Sequence, residues 1–289
     1  MSSILDLGWR ELAANCGFTE GPVAIGERII FTSINRGTLY EANLARHGAK
    51  QLVETGGGPN GAALGADGSI WVAQNGGKVV PTRSALACAP SIQRVTPDGE
   101  LMVVAQGKFS APNDCAFGPD GRLWFTDSAG STEDADPKPG RLWALDVSNG
   151  ECELILEGLA HPNGLAFEAD RETLYVGETR RRHIIKLAKT AEGWRHVGVY
   201  AELARGEPDG MALDQSGRLW VAATKADALV VIEPGGKNSK FVPLGPSFPT
   251  NLCFAGPDLR SLVVTAPKGG RVLCATVEAP GLPLAANGR

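Results

Sequence analysis

The sequence has little that would favour several common functional classes. No stretch approaches the roughly 20 apolar residues that a membrane span requires. The first fifteen residues, MSSILDLGWRELAAN, carry no basic region followed by an apolar run and include Asp6 and Glu11, so no leader is expected. There is no basic stripe: 28 Lys and Arg stand against 32 Asp and Glu, a formal net charge of −4, which argues against a nucleic-acid partner. The longest cationic run, Arg180 to His183, reads as a solvated loop, with an anionic substrate contact as the alternative. The six cysteines (Cys16, Cys88, Cys115, Cys152, Cys253, Cys274) include no CxxC pair and no metal-ligand spacing; a cytoplasmic protein with reduced thiols is expected. No G-x-S-x-G elbow and no P-loop occur. The Gly-rich GGGPNG at 56–61 lacks the strand-to-helix setting of dinucleotide binding. Nor does any run hold a helical apolar period beyond about two turns before Gly or Pro interrupts it.

What is abundant is turn chemistry: 37 Gly and 19 Pro are spread along all 289 residues. Short apolar runs between such punctuators predict many short strands, and the absence of a linker predicts one domain over residues 1–289.

Self-similarity then organises the chain. Four segments align: PNGAALGADGSIWVAQ from Pro59, PNDCAFGPDGRLWFTD from Pro112, PNGLAFEADRETLYVGE from Pro162 and PDGMALDQSGRLWVAA from Pro208. Each runs from Pro and Asn or Asp through an apolar strand and a turn to a second strand bearing an aromatic. The polar residue precedes that aromatic by 11 residues in three copies (Asn60 to Trp71, Asn113 to Trp124, Asp209 to Trp220) and by 12 in the fourth (Asn163 to Tyr175). Two weaker copies complete the set. TEGPVAIGERIIFTS places Glu20 11 residues before Phe31, and PTNLCFAGPDLRSLVVTA places Thr250 at the polar position with Asn251 beside it. The steps between polar positions are 40, 53, 50, 46 and 41 residues. Units of about 40 to 50 residues with several strands each are the mark of propeller blades. The expectation is an all-β, six-bladed β-propeller, with four-stranded antiparallel blades around a central channel. Between the repeat cores, runs such as SIQRVTPDGELMVVA and RLWALDVSNGECELIL read as outer hairpins. The recurring aromatics read as blade-to-blade packing and the Asp-Gly pairs as turns.

In a propeller the starts of successive inner strands meet at one end of the channel. Glu20, Asn60, Asn113, Asn163, Asp209 and Thr250 would then form a ring of oxygen donors suited to a hard cation such as Ca²⁺, Mg²⁺ or Mn²⁺. Any single Asn there could instead cap a turn. Two acids enclosed among neutral amides are costly without a cation, and Glu is a poor turn-capping residue.

These motifs resemble the SMP-30/gluconolactonase/LRE family of six-bladed propellers, on Thr19-Glu20-Gly21-Pro22, Pro112-Asn113-Asp114, Pro162 to Phe167, Pro208-Asp209-Gly210 and Thr250 to Phe254. The resemblance implies a metal held by Glu20, Asn163 and Asp209, with Asn113 near metal or substrate. It implies Ca²⁺ most often, with Zn²⁺, Mn²⁺ or Mg²⁺ in some members. Ala111 stands where sugar-lactone members often carry an Arg that grips substrate hydroxyls, so an aldonolactone preference does not carry over. His161 matches no typical family position; it reads as a buried structural residue or as a donor at the pocket rim. The expected activity is hydrolysis of a small lactone or ester, with Asp209 as base on the attacking water and Asn113 and Asn60 orienting substrate. The alternatives are a non-catalytic, metal-dependent binding propeller and a metal-dependent isomerase, cyclase or lyase.

Overall fold

The structure, a computed structural model, describes residues 6–284. The outermost residues of the expected 1–289 domain, 1–5 and 285–289, lie outside the described residues. Among the described residues, twenty-four strands form six four-stranded antiparallel sheets. Blades I to V are consecutive meanders over residues 19–54, 59–106, 112–159, 162–202 and 207–243. Blade VI joins the last three strands, Asn251–Ala255, Ser261–Ala266 and Arg271–Thr276, to the first one, Arg10–Ala13. The inner strands Thr19–Ile25, Pro59–Leu64, Pro112–Phe117, Pro162–Phe167, Glu207–Leu213 and Asn251–Ala255 pack each against the next, and the sixth against the first, so the ring is closed. No helix among the described residues is long and apolar enough to cross a membrane. All six cysteines are free.

Each apolar cluster fills the wedge between two neighbouring blades. Trp71 packs with Cys115 and Phe125 of blade III, Trp124 with Leu165 and Leu174 of blade IV, and Tyr175 with Met211 and Val221 of blade V. Trp220 packs with Leu252 and Phe254 of blade VI. The recurring aromatics are therefore the blade-to-blade packing that their period predicts. The Asp of the turn has a further task. Trp124 and Trp220 donate their indole N–H to Asp120 and Asp214 (3.2 and 2.9 Å), and Arg122 and Arg218 lie over the same rings while bound to the same carboxylates.

One alignment needs correction. In blades II to V the aromatic pairs with the residue three beyond the polar position: Ala63 with Trp71, Ala116 with Trp124, Ala166 with Tyr175, Ala212 with Trp220. In blade I that pairing is Val23 with Ile30, so Ile30, not Phe31, is the equivalent residue. Ile30 joins the wedge with blade II, whereas Phe31 faces the wedge with blade VI.

Trp220 is 1% exposed, so Trp220→Ala should cost about 3–5 kcal/mol of stability, read from a denaturant midpoint. A loss below about 1 kcal/mol would mean that this wedge does not hold blades V and VI together.

Candidate functional site

Five inner strands carry the same irregularity at the polar residue. The register slips between Glu20 and Val23, Pro59 and Ala62, Pro112 and Cys115, Pro162 and Leu165, and Pro208 and Met211. An inserted residue of this kind bends a strand and re-aims a side chain. In four blades the residue after the polar one is glycine, and a Cβ there would collide with the next blade: Gly21 with the Asn60 carbonyl, Gly61 with Asp114, Gly164 with the Asp209 carbonyl, Gly210 with Asn251. Glycine lets the blades close on the axis. Gly210→Ala should thus displace Asn251 and destabilise by about 1–3 kcal/mol, measurable as a lowered thermal midpoint; an unchanged midpoint would refute the close approach.

Blade III departs from this rule, with Asp114 where those four blades have glycine. Its carboxylate lies over Gly61, on the axis. Blade VI departs differently, pairing regularly from Asn251 onward with no slip. Thr250, the expected ring member, spends its hydroxyl between blades, donating to the Thr19 carbonyl (2.9 Å) and lying 2.9 Å from the Thr265 hydroxyl. Asn251 reaches the axis in its place. Its Nδ2 donates to Glu20 Oε2 (3.0 Å) and to Asp114 Oδ2 (3.2 Å), joining residues 231 and 137 positions apart in the chain.

All the predicted residues are buried: Glu20, Asn60, Asn113, Asn163, Asp209 and His161 are each less than a tenth exposed. Glu20, Asp209 and Asn163 belong to one electrostatic unit: Asp209 feels Glu20 and Asp114, and the Asn163 amide opposes their effect, while Asn163 Nδ2 donates to the Thr179 hydroxyl (3.4 Å). The charged neighbours that act on Asp209 most strongly are acids: Glu20, Asp114 and Glu207. Burial and then Asp114 push Glu20 up to about 8, although the Gly21 N–H and Asn251 oppose the rise. Burial pushes Asp114 up to about 7. Burial, then Glu20, then Asp114, drive Asp209 well above the carboxylate range. Two amide oxygens of the ring, Asn60 Oδ1 and Asn163 Oδ1, are buried with no hydrogen-bond partner.

Crowded carboxylates and orphaned amide oxygens fit a hard cation, which accepts only oxygen donors of this type and relieves like charge in low dielectric. Among the described residues no three His, Cys, Asp or Glu side chains gather tightly enough to hold an ion by themselves, so the amide oxygens are needed in the set.

His161 leads into blade IV with φ of 57° and gives its carbonyl to the Thr179 N–H (3.1 Å). Its imidazole is held neutral, down to about 4, by burial and then by Arg180, with Asp134 opposing. The cationic run is solvent-exposed at Arg181 and Arg182, and its side chains are tied down locally. Arg180 donates to the carbonyls of Ser131 and Asp134, Arg181 to Glu178, and Arg182 to those of Leu203, Ala204 and Gly206. His183 pairs with Glu178 at 2.5 Å. Buried acids outside the ring are structural: Asp127 accepts from the Ser110 and Ala111 N–H groups, and Glu178 from Ala160 N–H.

A sequence profile described as the SMP-30/gluconolactonase/LRE-like region matches residues 18–268. The chain belongs to that family. Within the SMP-30/gluconolactonase/LRE-like family, a pentonolactonase of Haloferax volcanii is 32% identical over 161 residues, 54% of this chain and 53% of its own length. A gluconolactonase of Zymomonas mobilis is 28% identical over 228 residues, 72% of this chain and 61% of its own. The chain thus spans little more than half the length of these curated relatives. The crystal structure of a calcium-binding protein, regucalcin, from Agrobacterium tumefaciens superposes with a TM-score of 0.81 over 98% of both chains, at 19% identity. At that identity the likeness establishes the shared propeller.

Proposed function

We propose that the protein is a divalent-metal-dependent lactonase acting on a small lactone or related ester. The carrying observation is the convergence of Glu20, Asp209 and Asp114, whose burial and mutual repulsion raise Glu20 and Asp209, with the unpartnered oxygens of Asn60 and Asn163. The names of the lactonase relatives support the substrate class. Glu20, Asn163 and Asp209 would hold one cation, Ca²⁺ first and Zn²⁺, Mn²⁺ or Mg²⁺ as alternatives, which would supply Lewis acidity and lower the pKa of a water.

The residues divide the remaining work. Asp209 accepts the proton of the water that attacks the carbonyl carbon and returns it to the ring oxygen as the C–O bond breaks, giving a hydroxy acid. The amide N–H groups of Asn113 and Asn60 orient the substrate and steady the oxyanion. Glu20 acts as ligand alone, held by the Gly21 N–H (2.5 Å) and Asn251. His161, neutral, serves as a hydrogen-bonding group at the rim. Six free thiols suit a cytoplasmic setting.

Ring opening releases acid, so a pH-indicator screen of sugar, aliphatic and aryl lactones with each added cation tests the proposal. Because Ala111 supplies no guanidinium, simple aliphatic or aryl lactones should be opened at least as fast as aldonolactones. Silence across the panel, with cation binding intact by calorimetry, would overturn the hydrolytic reading in favour of a binding propeller or another metal-assisted reaction.

A further inference from the structure

A cavity of about 610 Å³ opens at the other mouth of the channel, away from the starts of the inner strands. Its walls are the later residues of all six inner strands, among them Leu64, Phe117, Leu165, Phe167, Leu213 and Phe254. Asp114 and Asn251 are the polar side chains at its inner end. Their mutual hydrogen bond, extended to Glu20, makes a septum between this cavity and the polar ring. At the outer end the turn at 168–171 brings Glu168, Ala169 and the exposed Arg171 to the rim.

We infer that this second mouth is a separate binding site for a small uncharged amphiphile, an apolar body ending in one hydrogen-bond donor such as an alcohol. The inference does not depend on the lactonase reading. A recess of this volume, walled by apolar side chains with a few polar groups at one point, has the form of a small-molecule site, not of a protein-docking surface. The polar end selects the head group. Asp114 offers lone pairs to a donor, while its Oδ1 accepts the Cys115 N–H (2.9 Å) and its Oδ2 the Asn251 amide. A carboxylate head would meet the Asp114 carboxylate of the septum as a like charge. An ammonium head would be stripped of water beside a carboxyl already engaged by two donors. Both are costly burials.

The test uses the intact protein and N-phenyl-1-naphthylamine, a neutral probe with one N–H donor. Its fluorescence should rise saturably with one-to-one stoichiometry. 1-Decanol should displace it at least tenfold more effectively than decanoate or decylammonium. Ala24→Phe, which fills the wall, should weaken the probe at least tenfold and leave lactone turnover unchanged. Ala169→Trp, at the exposed rim, should do the same and serves if the first variant fails to fold by circular dichroism. Absence of saturable binding would overturn the site. Binding untouched by the folded variant would overturn its location, and displacement by either charged competitor as well as by decanol would overturn the ligand class.

Discussion

Asp209→Asn is expected to lower kcat on an accepted lactone by about 10²–10⁴-fold, the usual contribution of a general base. Asparagine keeps the size and an oxygen donor but cannot take the water's proton. The substitution should not cost the fold. Asp209 sits within the field of Glu20, Asp114 and Glu207, so the neutral amide removes a buried charge conflict. In excess chelator at pH 8 the variant should melt at or above the wild-type temperature, while its turnover with added cation stays low. Near-wild-type turnover would sink the base assignment. A collapse of stability in chelator would sink the account of the ring as crowded acids.

Removing the cation should have the second large effect, and it should depend on pH. In the cation-free fold Glu20 rises from 4.5 to about 8 and Asp114 from 3.8 to about 7. Between the ordinary and raised values the folded chain holds more protons than the unfolded one, so its stability falls as pH rises from about 4 to about 8. Asp209, shifted in the same direction, adds to the loss. A bound cation favours the ionised carboxylates and reverses the trend. At one hundred times its Kd, a cation stabilises by about 2.7 kcal/mol, or about 5–10 °C at this chain size. The increment between chelator and saturating Ca²⁺ should therefore be large at pH 8 and nearly absent at pH 5, read by scanning calorimetry. An equal increment at both pH values would refute the linkage between cation and carboxylates.

The repeat made most of this architecture legible, because six copies of a polar residue followed by two strands define both the blade count and the common end of the inner strands. Its failures have local physical causes. The blade I hairpin is one residue shorter, which shifts the aromatic equivalence from Phe31 to Ile30. Blade VI lacks the register slip, so Thr250 turns between blades and Asn251 reaches the axis. Asp114 was present in the quoted motif, but its role is carried by the contrast with glycine at the same place in Gly21, Gly61, Gly164 and Gly210. An acid where four other copies need the absence of a side chain was the available signal. The large cavity at the opposite mouth had none. Its lining comes from ordinary core residues, and only the curvature of six assembled blades turns them into a recess.

The seam in blade VI has a consequence for synthesis. The strand Arg10–Ala13 emerges early from the ribosome and waits for its neighbour Arg271–Thr276, while Glu20 waits for Asn251. A nascent chain can stack blades I to V in order, yet Glu20 and Asp114 gain the Asn251 amide that fixes them only when blade VI has been made. Closure of the circle would then be the step that locks the two acids in place, and truncated products would leave them unheld.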